Sequence, residues 1–210
     1  MKSPRRMKVG LVLLFMGIGL MAGGVSMLLQ PNVYRSVATV EAGRQPGSLT
    51  GYDPYFLLTE FEIIKSHDVL TNVIATLNLS ESWGKKYNRG PRLSDSKTEK
   101  MIKRQLGLDH VNNTKFIEIG VYDDDPNEAA KLANAIAERY CEFRTEQFRR
   151  LAAEIPNPNE RSQFEGPQIM VPAVCPMRPT RPDRYLEMLM MGFGSVLMAG
   201  GLIIYNYSED

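Results

Sequence analysis

Two apolar runs, Val9 to Leu29 and Leu186 to Tyr205, constrain this chain more than any other feature. A segment of that length with almost no charge needs either a lipid bilayer or a large protein core around it. In the first run Ser26 is the only polar side chain, and at 1.5 Å per residue its helix reaches about 31 Å, enough for a hydrocarbon core. A cleaved signal peptide is the competing reading. Lys2, Arg5, Arg6 and Lys8 make a positive head and Ala22-Gly23-Gly24 supplies small residues, but the run exceeds the usual apolar length of about 7 to 15. The second run carries one charge, Glu187, in its first turn, where a carboxylate reaches the headgroups at modest cost. Tyr185 precedes it and Tyr205 and Tyr207 close it, as amphipathic rings do at a membrane interface. A buried core helix is the alternative, and a domain of this size rarely needs one that is apolar on every side.

Each run also holds a small-xxx-small spacing, Gly19 to Gly23 and Ser195 to Ala199, which permits close backbone approach between helices. These four are the candidate helix-packing residues. Two spans put both termini on one side. Arg35, Arg178, Arg181 and Arg184 compete with the basic head in choosing that side. The first helix usually dominates, which favours termini inside and the Gln30 to Arg184 segment outside.

The length of 210 residues allows one globular domain beside the spans. With 25 basic against 24 acidic residues and a net charge of +1, no concentrated positive face is available for phosphates, and a nucleic-acid partner is not expected. Cys141 and Cys175 match neither a zinc site nor a redox motif. A bridge between them would close a loop of about 35 residues and add roughly 3 to 4 kcal/mol; two buried thiols are the alternative.

Between the runs, Val33 to Val40 reads as a strand and Arg44 to Gly51 as a loop. Asp53-Pro54 opens a helix to about Lys65, and Ser66 caps a second with the stripe Val69, Leu70, Val73, Ile74 and Leu77, ended by the polar Asn78 to Ser82. Lys97 to Leu106 is a third helix, and Lys115 to Tyr122 a strand expected to pair with the first. The best local signal is Asp125-Pro126-Asn127-Glu128, an N-cap, a first-turn proline and an acidic third position. The helix it starts turns Ala129, Leu132, Ala133, Ile136, Tyr140 and Phe143 inward and ends near Ala153, before Pro156 and Pro158. Gln168 to Val174 is a last short strand. Pro172, Pro176, Pro179 and Pro182 then make an extended approach to the second span, either a stiff strut or a plain linker.

No convergent chemistry emerges. Gly84-Lys85-Lys86 lacks the upstream glycine and hydroxyl of a phosphate-binding loop. His67 and His110 stand apart from any second ligand or nucleophile, and Asp123 to Asp125 lack the alternate spacing and central glycine of a calcium loop. Glu60 and Glu62 are too close on one helix to face each other. No catalytic, cofactor or metal residue is assigned.

The order of these pieces resembles the Wzz-type chain-length determinant family, the polysaccharide co-polymerases. It runs from Tyr34-Arg-Ser-Val-Ala-Thr-Val40 through Ile64 to Leu70, Val73 to Leu79, Phe116-Ile-Glu-Ile119, Asp125-Pro126 and Ala129 to Ile136, to the proline-rich approach and a glycine-rich second span. The resemblance implies an α+β extracytoplasmic domain, a small sheet packed with helices, flanked by two transmembrane helices. The expected layout is a cytoplasmic head at 1–8, a span at 9–29, the domain at 30–184 with its proline-rich part at 172–184, a span at 185–205 and a cytoplasmic tail at 206–210. It implies a homo-oligomer in the bacterial inner membrane, without enzymatic activity or cofactor. Such an oligomer sets the length or export of a surface polysaccharide, with a polymerase, export machinery or a separate tyrosine kinase as partner. Asp125, Pro126, Pro176, Pro179 and Pro182 are the candidate structural or assembly positions. Where the family commonly inserts long helices, only Glu154 to Pro167 stands here, so a tall cage is not expected. A kinase-activating adaptor and a membrane-tethered enzyme are the alternatives.

Overall fold

The computed structural model describes residues 4–44, 54–88, 90, 92–181 and 184–207. Lys2, the Asp53 cap, the Arg44 to Gly51 loop beyond Arg44, Pro182 and the last three tail residues therefore lie outside the described residues. The elements are α1 (Pro4–Leu28), β1 (Tyr34–Glu41), α2 (Pro54–Ile64), α3 (His67–Thr76), α4 (Leu79–Asn88), α5 (Asp95–Gln105), β2 (Leu106–His110), β3 (Phe116–Asp123), α6 (Pro126–Glu154), α7 (Pro158–Arg161), β4 (Gln168–Val171) and α8 (Arg184–Asn206). They form two compact units, one of residues 1–33 with 179–210 and one of residues 34–178.

The 34–178 unit is α+β. Its sheet has four strands in the order β2-β3-β1-β4, and every neighbouring pair is antiparallel. β1 pairs with β3, as the sequence leads one to expect, with Ala38 opposite Ile119. Period-two alternation sends Ala38, Val40, Ile117, Ile119 and Val121 into the core. The other face is mixed and half-exposed: Arg35 meets Glu118 at 3.4 Å, and its guanidinium lies 5.9 Å from the centre of the Tyr122 ring. A sheet apolar on one side needs a cover on that side only. α6 supplies it, packing on β1 and β3 with Ala129, Ala133, Ile136, Ala137 and Tyr140 buried.

The caps expected at Ser66 and Asp125 both hold. Asp125 Oδ1 accepts from the backbone N–H of Asn127 at 2.8 Å and of Glu128 at 3.5 Å, and Pro126 opens the helix. Ser66 caps α3 by accepting from Val69 N–H. Four elements differ from the sequence reading: α4, α7 and β2 are new, and β4 ends at Val171 rather than Val174. The polar Asn78 to Ser82 stretch is not a plain loop: Asn78 takes a left-handed turn at φ 49° and α4 follows at once. Asn tolerates that conformation better than most residues. Leu79 and Trp83, one helical turn apart, are then buried. The third helix ends at Gln105, and Leu106 instead begins β2, an edge strand pairing Leu108 with Ile119. Five residues are too few for their alternation to stand out beside a helical pattern.

In the other unit, α1 and α8 pack together as an antiparallel pair, Gly10 meeting Gly201 and Gly17 meeting Gly194. Only 17% and 11% of their most apolar windows is buried, and Val12, Phe15, Phe193, Val196 and Ile203 are more than half exposed. Both helices are long and apolar enough to cross a membrane.

Candidate functional site

Three arrangements stand out for the placement of polar or close-packed groups. The first is the seam of the helix pair. A Cβ added at Gly17 would lie 2.8 Å from Gly194 O and 2.9 Å from Met198 N, and one added at Gly201 would lie 2.8 Å from Gly10 O. Gly10 and Gly17 are seven residues apart, as are Gly194 and Gly201. That period keeps one stripe against a partner helix. The small-xxx-small residues lie elsewhere. Gly19 faces open space, Gly23 meets only Met190 Cε at 3.2 Å, and Ser195 and Ala199 are exposed, with Ser195 Oγ donating to Gly192 O. The seven-residue spacing was the available signal, and a search for four-residue spacing passes over it.

The second is a buried polar network between α2 and α6. Glu60 is fully buried and Arg144 is 7% exposed. Arg144 Nε donates to both Glu60 oxygens at 3.1 and 3.0 Å, and its Nη2 donates to Oε1. Tyr140 OH donates to Oε2 at 2.7 Å. Burial first, then the adjoining carboxylate, push the Tyr140 phenol well above its usual range, so it stays a donor. Arg144 also lies 4.5 Å over the Phe148 ring and donates from Nη1 to Gln147 Oε1 at 3.0 Å. Glu60 thus has companions that its own helix does not reveal, because they stand on a helix some eighty residues away.

The third is the start of α6. Asp123, nearly buried, accepts from Asp125 N–H at 2.9 Å, Lys86 Nζ at 3.1 Å and Gln105 Nε2 at 3.2 Å. Lys86 also donates to Asp124 at 2.5 Å. The aspartate run is therefore a brace between α4, α5 and α6. Among the described residues no group of three or more His, Cys, Asp or Glu side chains could hold a metal ion. Hydrogen bonding with Asp123, then Lys86, holds Asp124 down to about 2 against its own burial, while burial pushes Asp123 up. A depressed carboxylate stabilises the fold fully above about pH 4 and loses that contribution as pH falls toward 2; the raised Asp123 acts with opposite sign, favouring the fold at low pH. Asp124→Asn is expected to flatten the loss of melting temperature between pH 4 and 2, read by the fluorescence of Trp83, the chain's one tryptophan. An unchanged acid limb would mean that Asp124 is not the titrating group.

His67 opens α3 and meets Glu99 at 2.9 Å, on the exposed surface. His110 ends β2 with its ring 6.5 Å from that of Phe61.

The proline-rich approach is anchored at two points. Within the 34–178 unit, Ala173 N–H donates to Asn134 Oδ1 at 2.7 Å and Asn134 Nδ2 donates to Ala173 O at 2.9 Å, while Ser36 Oγ donates to Val174 O at 2.6 Å. The Asn134 side chain thereby replaces a strand partner beyond the end of β4. Pro176 is half-buried just after it. Within the helix-pair unit, Val33 exchanges hydrogen bonds with Arg181, and Thr180 N–H donates to Val33 O at 2.7 Å, beside the half-buried Pro179. Asn134→Ala is expected to cost about 1–3 kcal/mol, the penalty for unpaired backbone groups. Hydrogen exchange at 171–175 should then rise while α6 stays protected. Equal protection in the variant would count against the anchor.

The Cys141 to Cys175 bridge is not formed; both thiols are free. Burial, then Glu142 and Glu138, push the half-buried Cys141 thiol up to about 12, whereas Cys175 is exposed. N-ethylmaleimide at neutral pH is expected to label Cys175 at least about tenfold faster than Cys141 without prior reduction. Equal rates would contradict this placement.

Against known proteins, no family model matches the chain and no curated protein matches it. Among solved structures, a full-length bacterial polysaccharide co-polymerase aligns over 96% of this chain and 94% of its own, with a TM-score of 0.38 and 10% identity. A likeness at that level does not define a shared fold, and the functional reading rests on the chain's own residues.

Proposed function

We propose that this protein is a non-enzymatic, homo-oligomeric regulator of surface-polysaccharide assembly. In this reading α1 and α8 span the bacterial inner membrane, and the 34–178 unit lies on the periplasmic or extracellular side, a placement supported by the basic head around Lys8. What carries the reading is where the family-like motifs fall. Tyr34 to Val40 is the strand β1, Phe116 to Ile119 opens its neighbour β3, Asp125-Pro126 starts α6, and Ala129 to Ile136 is the stretch of α6 that covers the sheet. These segments resemble the co-polymerases, and they also build one unit placed in sequence between two membrane-length helices. The mechanism is geometric. A closed assembly of identical chains presents many copies of one surface, raising the effective concentration of polymerase or growing glycan without new chemistry.

Two measurements test it together. Mass photometry and cryo-electron imaging of the chain in nanodiscs should find a closed ring of several copies. Deleting the gene should change the banding pattern of surface polysaccharide on gels, with recovery on complementation. A monomer with an unchanged glycan pattern would reject the proposal.

A further inference from the structure

α3 and α6 leave between them a groove of about 450 Å³, within the roughly 300–1,000 Å³ range of small-molecule sites. Its apolar part is Val69, buried, and Phe143, half-buried. Asp68 and Asn72 line it from α3, and Arg139 and Gln147 from α6.

Two of its amides have a defined orientation. Gln147 Oε1 accepts from Arg144 Nη1 at 3.0 Å. A guanidinium only donates, so the oxygen must face it and Nε2 is the end left free. Asn72 Nδ2 donates to the Asp68 carbonyl at 2.8 Å. A carbonyl only accepts, so Oδ1 is the end left free. The buried Glu60–Arg144 pair therefore holds a hydrogen-bond donor ready at the groove wall, and α3 holds an acceptor. The charges nearly cancel. Arg139 is paired with Glu142 at 2.6 Å and Arg150 with Glu146 at 3.0 Å, which leaves the Asp68 carboxylate over. A polyanion finds no surplus of positive charge here. A ring with an apolar C–H face and hydroxyls that both donate and accept finds a partner for each.

We propose that this groove binds uncharged pyranosides, holding a short stretch of glycan along α3 and α6. The inference deepens the proposed role and rests on it only for the biological source of the glycan. The test uses the full chain in nanodiscs, titrated with maltotetraose, cellotetraose and chitotetraose as uncharged probes and tetragalacturonate as the charged one, by saturation-transfer NMR. At least one uncharged probe is expected to bind with a Kd of about 1 mM or tighter. Asn72→Ala and Gln147→Ala should each weaken it about tenfold, with the Trp83 melting curve of Asn72→Ala unchanged. No binding by any uncharged probe, binding that neither variant alters, or a preference for tetragalacturonate would overturn the proposal. The two ideas fail separately. A glycan pattern changed by gene deletion with an empty groove removes only the groove, and a groove that binds with an unaltered glycan pattern removes only the regulatory role.

Discussion

Arg144→Met is expected to lower the stability of the 34–178 unit by about 3–5 kcal/mol, because it leaves a buried carboxylate without its counter-charge. Glu60 is fully buried and receives hydrogen bonds from Arg144 and Tyr140; none of these can be replaced by water without opening the contact between α2 and α6. The loss is that of a broken pair, not the net worth of an intact one, since desolvating two charges offsets most of their attraction. The triple variant Glu60→Leu, Tyr140→Phe, Arg144→Met should therefore regain most of the stability, having no buried charge left unpaired. Urea unfolding followed by Trp83, itself buried in this unit, gives both numbers. A single-variant loss below about 1 kcal/mol would place Glu60 in contact with water. A triple variant as weak as the single one would mean that the pair specifies packing that apolar residues cannot reproduce.

Gly17→Leu is expected to separate α1 from α8, whereas Gly19→Leu, two residues along the same helix, should leave the pair intact. A Cβ at position 17 falls 2.5 Å from Met198 Cγ, which can move, and 2.8 Å from Gly194 O, which is backbone and cannot; at position 19 nothing lies within 4 Å. Overpacking of this kind costs about 1–3 kcal/mol or more, and helices carrying ordinary side chains settle at axial distances of about 8–10 Å. Nitroxides at the outward-facing Val12 and Ile203, with both native cysteines replaced, should report a widening of about 2 Å for Gly17→Leu. None is expected for Gly19→Leu. The same distance in both variants would remove the glycine seam as the basis of the pairing.

These two results bear on the proposed role differently. The Arg144 network stiffens the wall that presents Gln147 to the groove, so its loss should also weaken any ligand held there. The glycine seam concerns only how the two apolar helices meet. A chain that keeps its fold but splays this pair would separate the work of the helices from that of the 34–178 unit.

Much was legible from residue order. The two apolar runs announced their helices by length alone. Ser66 and Asp125 marked helix starts because a short polar side chain followed by free amides is a local arrangement. Val33 to Val40 and Lys115 to Tyr122 read as strands because alternation over eight residues is also local. Less legible were α4, whose turn depends on a single left-handed Asn78, and β2, whose five residues gain meaning only beside β3.

The sequence by itself thus determined most of the elements, the caps at Ser66 and Asp125 and the membrane-length helices, since each depends on residues within a few positions of one another. Tertiary structure alone decided that Glu60 is paired with Arg144, that Asn134 anchors Ala173, that Gly10, Gly17, Gly194 and Gly201 form the seam in place of Gly19 and Gly23, and that Cys141 is half-buried while Cys175 is exposed. Each of the first three joins residues far apart in the chain. Whether two such side chains meet is set by how helices and strands pack, and that geometry is not written in the spacing of either partner.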